Sequence, residues 1–378
     1  MINRKNRTGN NIFRKTGILL ILAVLFLCPL RGRAEAVGLD RLEIPEQPET
    51  EAWYRITPEG AVSADGSPWH GMFKKGTEEN KVLVWFYGGG VSVDEETASR
   101  PGTFYTARLG HDGDERKGIG SGNGLNPFRT WTVLELPYST ADFHLGEGEF
   151  RYSTPAGEER TVYHHGYQNF RSYMEKAAPY LDHPDTVVIA GCSAGGFGAA
   201  MLADEILTDY FPEAENTTVL IESALLLRDD WKEIAENIWQ APEHLTRAIR
   251  TDNLTLDGLR QLSADHPDTK ILFSSSCRDC TLSAFQHYFE TGKTEYSSET
   301  GDVYEKNLRH FVSELQKLPN TAVFIWKEYY LLADLTGHIF MDTDTFFLHE
   351  LDRTSTLADW LRDAVNGTIR SLGTELPE

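Results

Sequence analysis

The pentapeptide Gly191-Cys192-Ser193-Ala194-Gly195 has the form G-x-S-x-G, with an apolar run over 186–190 before it and an amphipathic pattern over 196–211 after it. A serine on such a sharp strand-to-helix turn has its hydroxyl lifted above the sheet edge, at the positive end of a helix, where it can attack a carbonyl carbon. The flanking glycines let the turn close tightly. A phosphate-binding turn is the competing reading of a Gly-rich junction. It needs a lysine after the glycines or a G-x-G-x-x-G spacing, and Gly195, Gly196 and Gly198 supply neither. Cys192 is also nucleophilic by type, but the turn exposes only its central position, so Cys192 reads as a packing residue.

Acyl transfer needs donors for a developing oxyanion and a base for the hydroxyl proton. Gly88-Gly89-Gly90 directly follows an early apolar run, 81–87, as an oxyanion loop would. The backbone N–H groups of Gly89, Gly90 or Val91, with that of Ala194, are the expected donors. In the chain order nucleophile, acid, base, the histidine comes late. His183 and His266 stand at strand beginnings, and His287 and His310 fall inside helical patterns. His338, in a loop after the last strand, is the expected base. The acid is expected at Asp279, just past the run 270–275, with Asp230 and Asp334 as competitors. Asp279 also suits the N-cap of a helix starting at Thr281, a role compatible with orienting an imidazole.

These residues need a scaffold. Apolar runs at 81–87, 131–136, 186–190, 218–222, 270–275 and 321–326 are continuous rather than alternating, as strands covered on both faces are. Helical periodicity over 167–181, 196–211, 281–290, 303–317 and 355–372 supplies the crossovers. The predicted fold is α/β: an α/β-hydrolase-like, doubly wound, mostly parallel sheet flanked by helices, in a single domain over 37–378. Residues 98–125 and 143–159 are rich in Gly and charged types and read as long surface loops.

The 378 residues, 40% hydrophobic, suffice for a sizeable core without staples. Five basic residues between Arg4 and Lys15 precede an apolar run over 18–27 and then Ala34-Glu35-Ala36, the plan of a signal peptide over 1–36. The run is short for a membrane span, so a secreted or periplasmic destination is expected, with an uncleaved anchor as the alternative. Cleavage after Ala36 removes seven basic residues and one acidic residue and takes the net charge from −21 to −27. So acidic a chain repels nucleic acid and anionic lipid, and neither nucleic acid nor a stable membrane association is expected. Cys192, Cys277 and Cys280 would remain, an odd number, with a local Cys277–Cys280 bridge feasible. A lone C-x-x-C without a second pair, and no H-E-x-x-H, point to no metal; no cofactor is expected.

Several blocks in order carry a specific resemblance: Trp85-Phe86-Tyr87-Gly88-Gly89-Gly90, Asn126-Pro127-Phe128-Arg129-Thr130-Trp131, residues 137–146, His165-Gly166-Tyr167-Gln168-Asn169, and the serine pentapeptide with Gly196. Over roughly residues 65–338 the chain resembles the pectin acetylesterase / Notum family of serine carboxylesterases. The resemblance implies extracellular hydrolysis of a carboxylic ester, such as O-acetyl groups on a carbohydrate, with Ser193, Asp279 and His338 as nucleophile, acid and base. It also brings forward Tyr138, Asp142 and His144, from the block 137–146, as residues that line the cleft or support it. The chain departs from the family at Val91-Ser92, where an aromatic residue and a cysteine are usual, and in lacking most of its disulfide cysteines. The acyl group therefore stays open, with a longer-chain esterase and a non-catalytic carbohydrate-binding relative as the rival readings.

Overall fold

The computed structural model describes residues 42–110, 117–154, 156–327, 333–351 and 355–374, so the expected signal peptide lies outside the described residues. Eight strands form one sheet: β1 (Trp53–Ile56), β2 (Gly71–Lys74), β3 (Glu78–Phe86), β4 (Trp131–Leu136) and, with β5 (Gly148–Ser153) and β6 (Glu159–His164) forming a separate hairpin, β7 (Thr186–Cys192), β8 (Asn216–Glu222), β9 (Lys270–Ser276) and β10 (Thr321–Trp326). Their order is β1-β2-β4-β3-β7-β8-β9-β10. From β4 to β10 every neighbouring pair is parallel, and β2 runs antiparallel to both β1 and β4. The six apolar runs of the sequence are the six parallel strands, and the α/β-hydrolase-like architecture is as expected.

Alternation within the strands shows why they read as continuously apolar. Val82, Val84 and Phe86 enter one core with Val187, Ile189, Ile271 and Phe273. Leu83 and Trp85 enter a second core on the other face with Val188, Ala190 and Leu272. Both faces are covered, so both sets of side chains must be apolar. Helices Gly166–Ala177, Ala194–Glu205, Leu254–Asp265 and Ser298–Leu315 contribute buried residues to the first core, and helix Leu357–Val365 covers the second.

Two expectations need correction. Residues 143–159 are not a surface loop throughout: Phe143 and Leu145 are fully buried and 148–153 is strand β5. Its alternation, Phe150 and Tyr152 inward and Glu149 and Arg151 outward, was obscured by the Gly and Glu content. In the other segment Phe104 and Tyr105 are buried, and Gly90 pairs with Tyr105 in an isolated bridge. Thus part of it packs beside the glycine loop.

Candidate active site

All the expected chemistry sits at the carboxyl ends of the parallel strands. Strand β7 ends at Cys192, and Ser193 takes φ 52° and ψ −127°, a backbone conformation costly for any residue with a side chain. Helix Ala194–Glu205 begins immediately afterwards. Period-two alternation explains the fate of Cys192: its side chain joins the second core, where burial pushes the thiol well above its ordinary pKa. Ser193, one step on, is partly exposed.

Ser193 Oγ lies 2.9 Å from His338 Nε2, and His338 Nδ1 lies 2.7 Å from Asp279 Oδ2. The structure thus brings all three residues together in one hydrogen-bonded line. Asp279 is wholly buried, and it does two jobs at once: Oδ1 accepts the N–H groups of Thr281 and Leu282 at 3.0 and 2.9 Å, capping helix Cys280–Thr291. The loops after β9 and β10 continue the parallel pairing as a bridge between Asp279 and Thr336, which sets Asp279 beside His338. Arg278, buried next to the acid, anchors that loop through Asp302, Glu305 and the Asp334 carbonyl. Asp230 instead receives a two-pronged bond from Arg228 at 2.7 and 2.6 Å.

The glycine loop touches the serine turn. A Cβ on Gly88 would lie 2.5 Å from the Cys192 carbonyl oxygen and 2.7 Å from Ser193 Cβ, so only glycine permits the approach. Gly90 has φ 82°, and a Cβ there would meet the Phe104 carbonyl oxygen at 1.9 Å. Ala194 is the first helical residue, so its N–H has no carbonyl within the helix. Expectation and structure part at Val91: its N–H donates to the Phe104 carbonyl at 2.8 Å and is not available as a donor, leaving Gly89, Gly90 and Ala194. The bridge that spends Val91 starts in a segment whose pairing was invisible in its composition.

Tyr138, Asp142 and His144 are all buried behind this loop. The Tyr138 hydroxyl donates to the Gly90 carbonyl and accepts from Phe143 N, both at 2.9 Å. His144 Nε2 lies 2.9 Å from the Tyr87 carbonyl, and burial lowers its pKa to about 4, so the ring is a neutral donor. Asp142 accepts from Thr140 Oγ1 and from the backbone of His144, Gly146 and Gly166. Burial raises its carboxyl to about 6 against the pull of those bonds. It ties down a segment in which Ala141, Phe143 and His144 all have positive φ.

Cys277 and Cys280 are not bridged to each other. Among the described residues, no group of three or more His, Cys, Asp or Glu side chains could hold a metal ion, and no helix is long and apolar enough to cross a membrane.

A mostly parallel sheet with a serine turn, a late histidine and a glycine loop at one rim is the fold class of an α/β-hydrolase-like protein. The pectinacetylesterase family model matches residues 54–238, and the resemblance read from the residues is thereby shown. Two crystal forms of the Wnt deacylase Notum from Drosophila share the fold. One superposes with a TM-score of 0.60 at 16% identity, covering 85% of this chain and 95% of Notum. The other gives 0.58 at 16% identity, with 84% and 94% covered. No curated protein matches the chain. The family match supports an esterase.

Proposed function

We propose that this protein is an exported serine carboxylic-ester hydrolase that removes O-acetyl groups from a polysaccharide such as pectin. The observation that carries the reading is the unbroken line from Ser193 Oγ through the His338 ring to Asp279, at 2.9 and 2.7 Å. His338 Nε2 takes the Ser193 proton as Oγ attacks the ester carbonyl, and Asp279 holds Nδ1 protonated and stabilises the imidazolium. The carbonyl oxygen, now negative, receives the N–H groups of Ala194 and the Gly89-Gly90 loop. Collapse expels the alcohol, which takes the proton from His338, and leaves an acetyl ester on Ser193. Water activated by His338 then releases acetate.

In this reading Tyr138 and His144 do not touch substrate. They grip the carbonyls of Gly90 and Tyr87, on either side of the donors, and so aim the loop. The pectinacetylesterase match supports an acetyl ester. The test is Ser193→Ala: hydrolysis of p-nitrophenyl acetate and acetate release from acetylated pectin should both fall by at least 10³-fold, with the unfolding midpoint retained. Wild-type turnover in the folded variant refutes the assignment. A chain-length series of p-nitrophenyl esters separates an acetyl esterase from a longer-chain enzyme, and binding to acetylated pectin without any turnover marks a carbohydrate-binding protein.

A further inference from the structure

Strand β8 lies between the strand that delivers the nucleophile and the one that delivers the acid, yet it contributes nothing to the line of reacting groups. Its last residue, Glu222, has a fully buried carboxyl side chain at the site's rim. The buried carboxyl is pushed up to about 8 by desolvation, a cost that a merely space-filling residue would not impose. Its contacts account for it. Oε1 accepts the N–H of Phe340 at 2.9 Å, and Oε2 accepts that of Met341 at 2.8 Å, two and three residues after His338. Its backbone carbonyl accepts the N–H of Ser193 at 2.9 Å. The next residue, Ser223, with φ 50°, donates its hydroxyl to the carbonyl of His338 itself. Ser276, at the end of β9, does the same for Gly337.

We propose that Glu222 is a positioning residue that sets the register between nucleophile and base, holding Ser193 by its backbone and the His338 loop by its carboxyl group. The inference rests on the proposed esterase function for its kinetic readout. The loop carrying His338 follows β10, separated from β7 by the two strands β8 and β9, and sheet pairing alone leaves that loop's height above the rim undetermined. A carboxyl group whose two oxygens accept two successive N–H groups fixes both height and tilt, which a single bond does not. Phe340 completes the clamp by stacking on Trp326, ring centroids 3.7 Å apart.

The experiment is Glu222→Gln, which keeps size and one acceptor but turns an amide NH₂ toward a backbone N–H. With p-nitrophenyl acetate, kcat should fall about 10²-fold, the cost of a base displaced by about 1 Å, while KM stays within about threefold of wild type. The low-field proton NMR signal of His338 Nδ1, which reports its bond to Asp279, should shift or broaden by faster exchange. A folded Glu222→Gln variant with wild-type kcat overturns the inference, and so does a kcat loss with that signal unmoved. If the wild-type protein hydrolyses no ester, the proposed function fails. The Nδ1 signal then decides alone, and an unmoved signal overturns the inference. If Glu222→Gln does not fold, Ser223→Ala, which deletes only the bond to the His338 carbonyl, should lower kcat about tenfold at unchanged KM and move the same signal; wild-type values in both overturn it.

Discussion

Asp279→Asn separates the two jobs of the buried acid. Oδ1 faces two helix N–H groups, so an asparagine would keep its amide oxygen there and preserve the cap. Its NH₂ would then replace Oδ2, 2.7 Å from His338 Nδ1. Two donors cannot share that shorter line, and the retained oxygen, 3.0 Å from Nδ1, is already engaged by the two helix N–H groups, so the imidazole is driven toward the tautomer with an unprotonated Nδ1 and its proton on Nε2. An Nε2 that already bears a proton cannot accept the one on Ser193. The same acid-to-amide exchange in a Ser-His-Asp triad lowers kcat about 10⁴-fold, which corresponds to roughly 5.5 kcal/mol of barrier. Because the cap survives, stability should fall by no more than about 1 kcal/mol, whereas Asp279→Ala should lose about 1 kcal/mol more by uncapping the helix. Steady-state kinetics on p-nitrophenyl acetate and urea unfolding of both variants give the two quantities. Asp230→Asn is the control, since that carboxylate is engaged by Arg228, and it should leave kcat unchanged. Folded Asp279→Asn with kcat within tenfold of wild type, or an equal loss in Asp230→Asn, would refute the reasoning.

Three more outcomes are expected. Tyr138→Phe keeps the ring but orphans the Gly90 carbonyl and the Phe143 N–H, so urea unfolding should show a loss of roughly 1–3 kcal/mol and kcat should drop with KM little changed; intact kcat would show that the loop needs no such grip. His164, whose Nδ1 lies 3.0 Å from the Thr140 carbonyl, has its pKa lowered to about 4 by burial, so the unfolded chain binds more protons than the folded one between about pH 6.5 and 4. Its contribution to stability is therefore present above pH 6.5 and lost as pH falls; the stability gap between wild type and His164→Asn should shrink toward pH 4, and a gap constant with pH would contradict this. Cys192→Ala should keep most of the esterase activity while costing about 1–2 kcal/mol of core packing, and abolished turnover in a folded variant would move the nucleophile to the thiol.

The parts of the site that were legible in the sequence are those tied to a strand end by a short, stereotyped turn. Ser193 follows β7 by one residue, and Gly88 follows β3 by two, so finding the strand finds the residue. Asp279 and His338 were reached by chain order and rim placement, and a hydrogen-bonded line then joined them across 59 residues of sequence. Glu222 left no such trace. A glutamate closing an apolar run carries no signal of what its side chain will meet, and only the arrival of the 340–341 backbone turns it into a buried acceptor. The Val91 donor was misplaced for a related reason: its partner carbonyl, on Phe104, comes from a segment whose Gly and charge content hid its fold. Helix Leu254–Asp265 was missed because Gly258 and its polar residues dilute the periodicity; Gly258 instead lets the helix lie against Ala200 and Met201 of the serine helix.

The separation of 145 residues between the serine and its proton acceptor has a consequence for biosynthesis. A chain being made from its amino end completes the turn around residue 193 long before residue 338 exists. Until the final strand has docked and its following loop has been captured by the residues at 222 and 223, the hydroxyl is an ordinary alcohol of negligible reactivity. On the proposed mechanism the growing polypeptide is thereby latent by construction, and ester hydrolysis starts only with completion of the sheet.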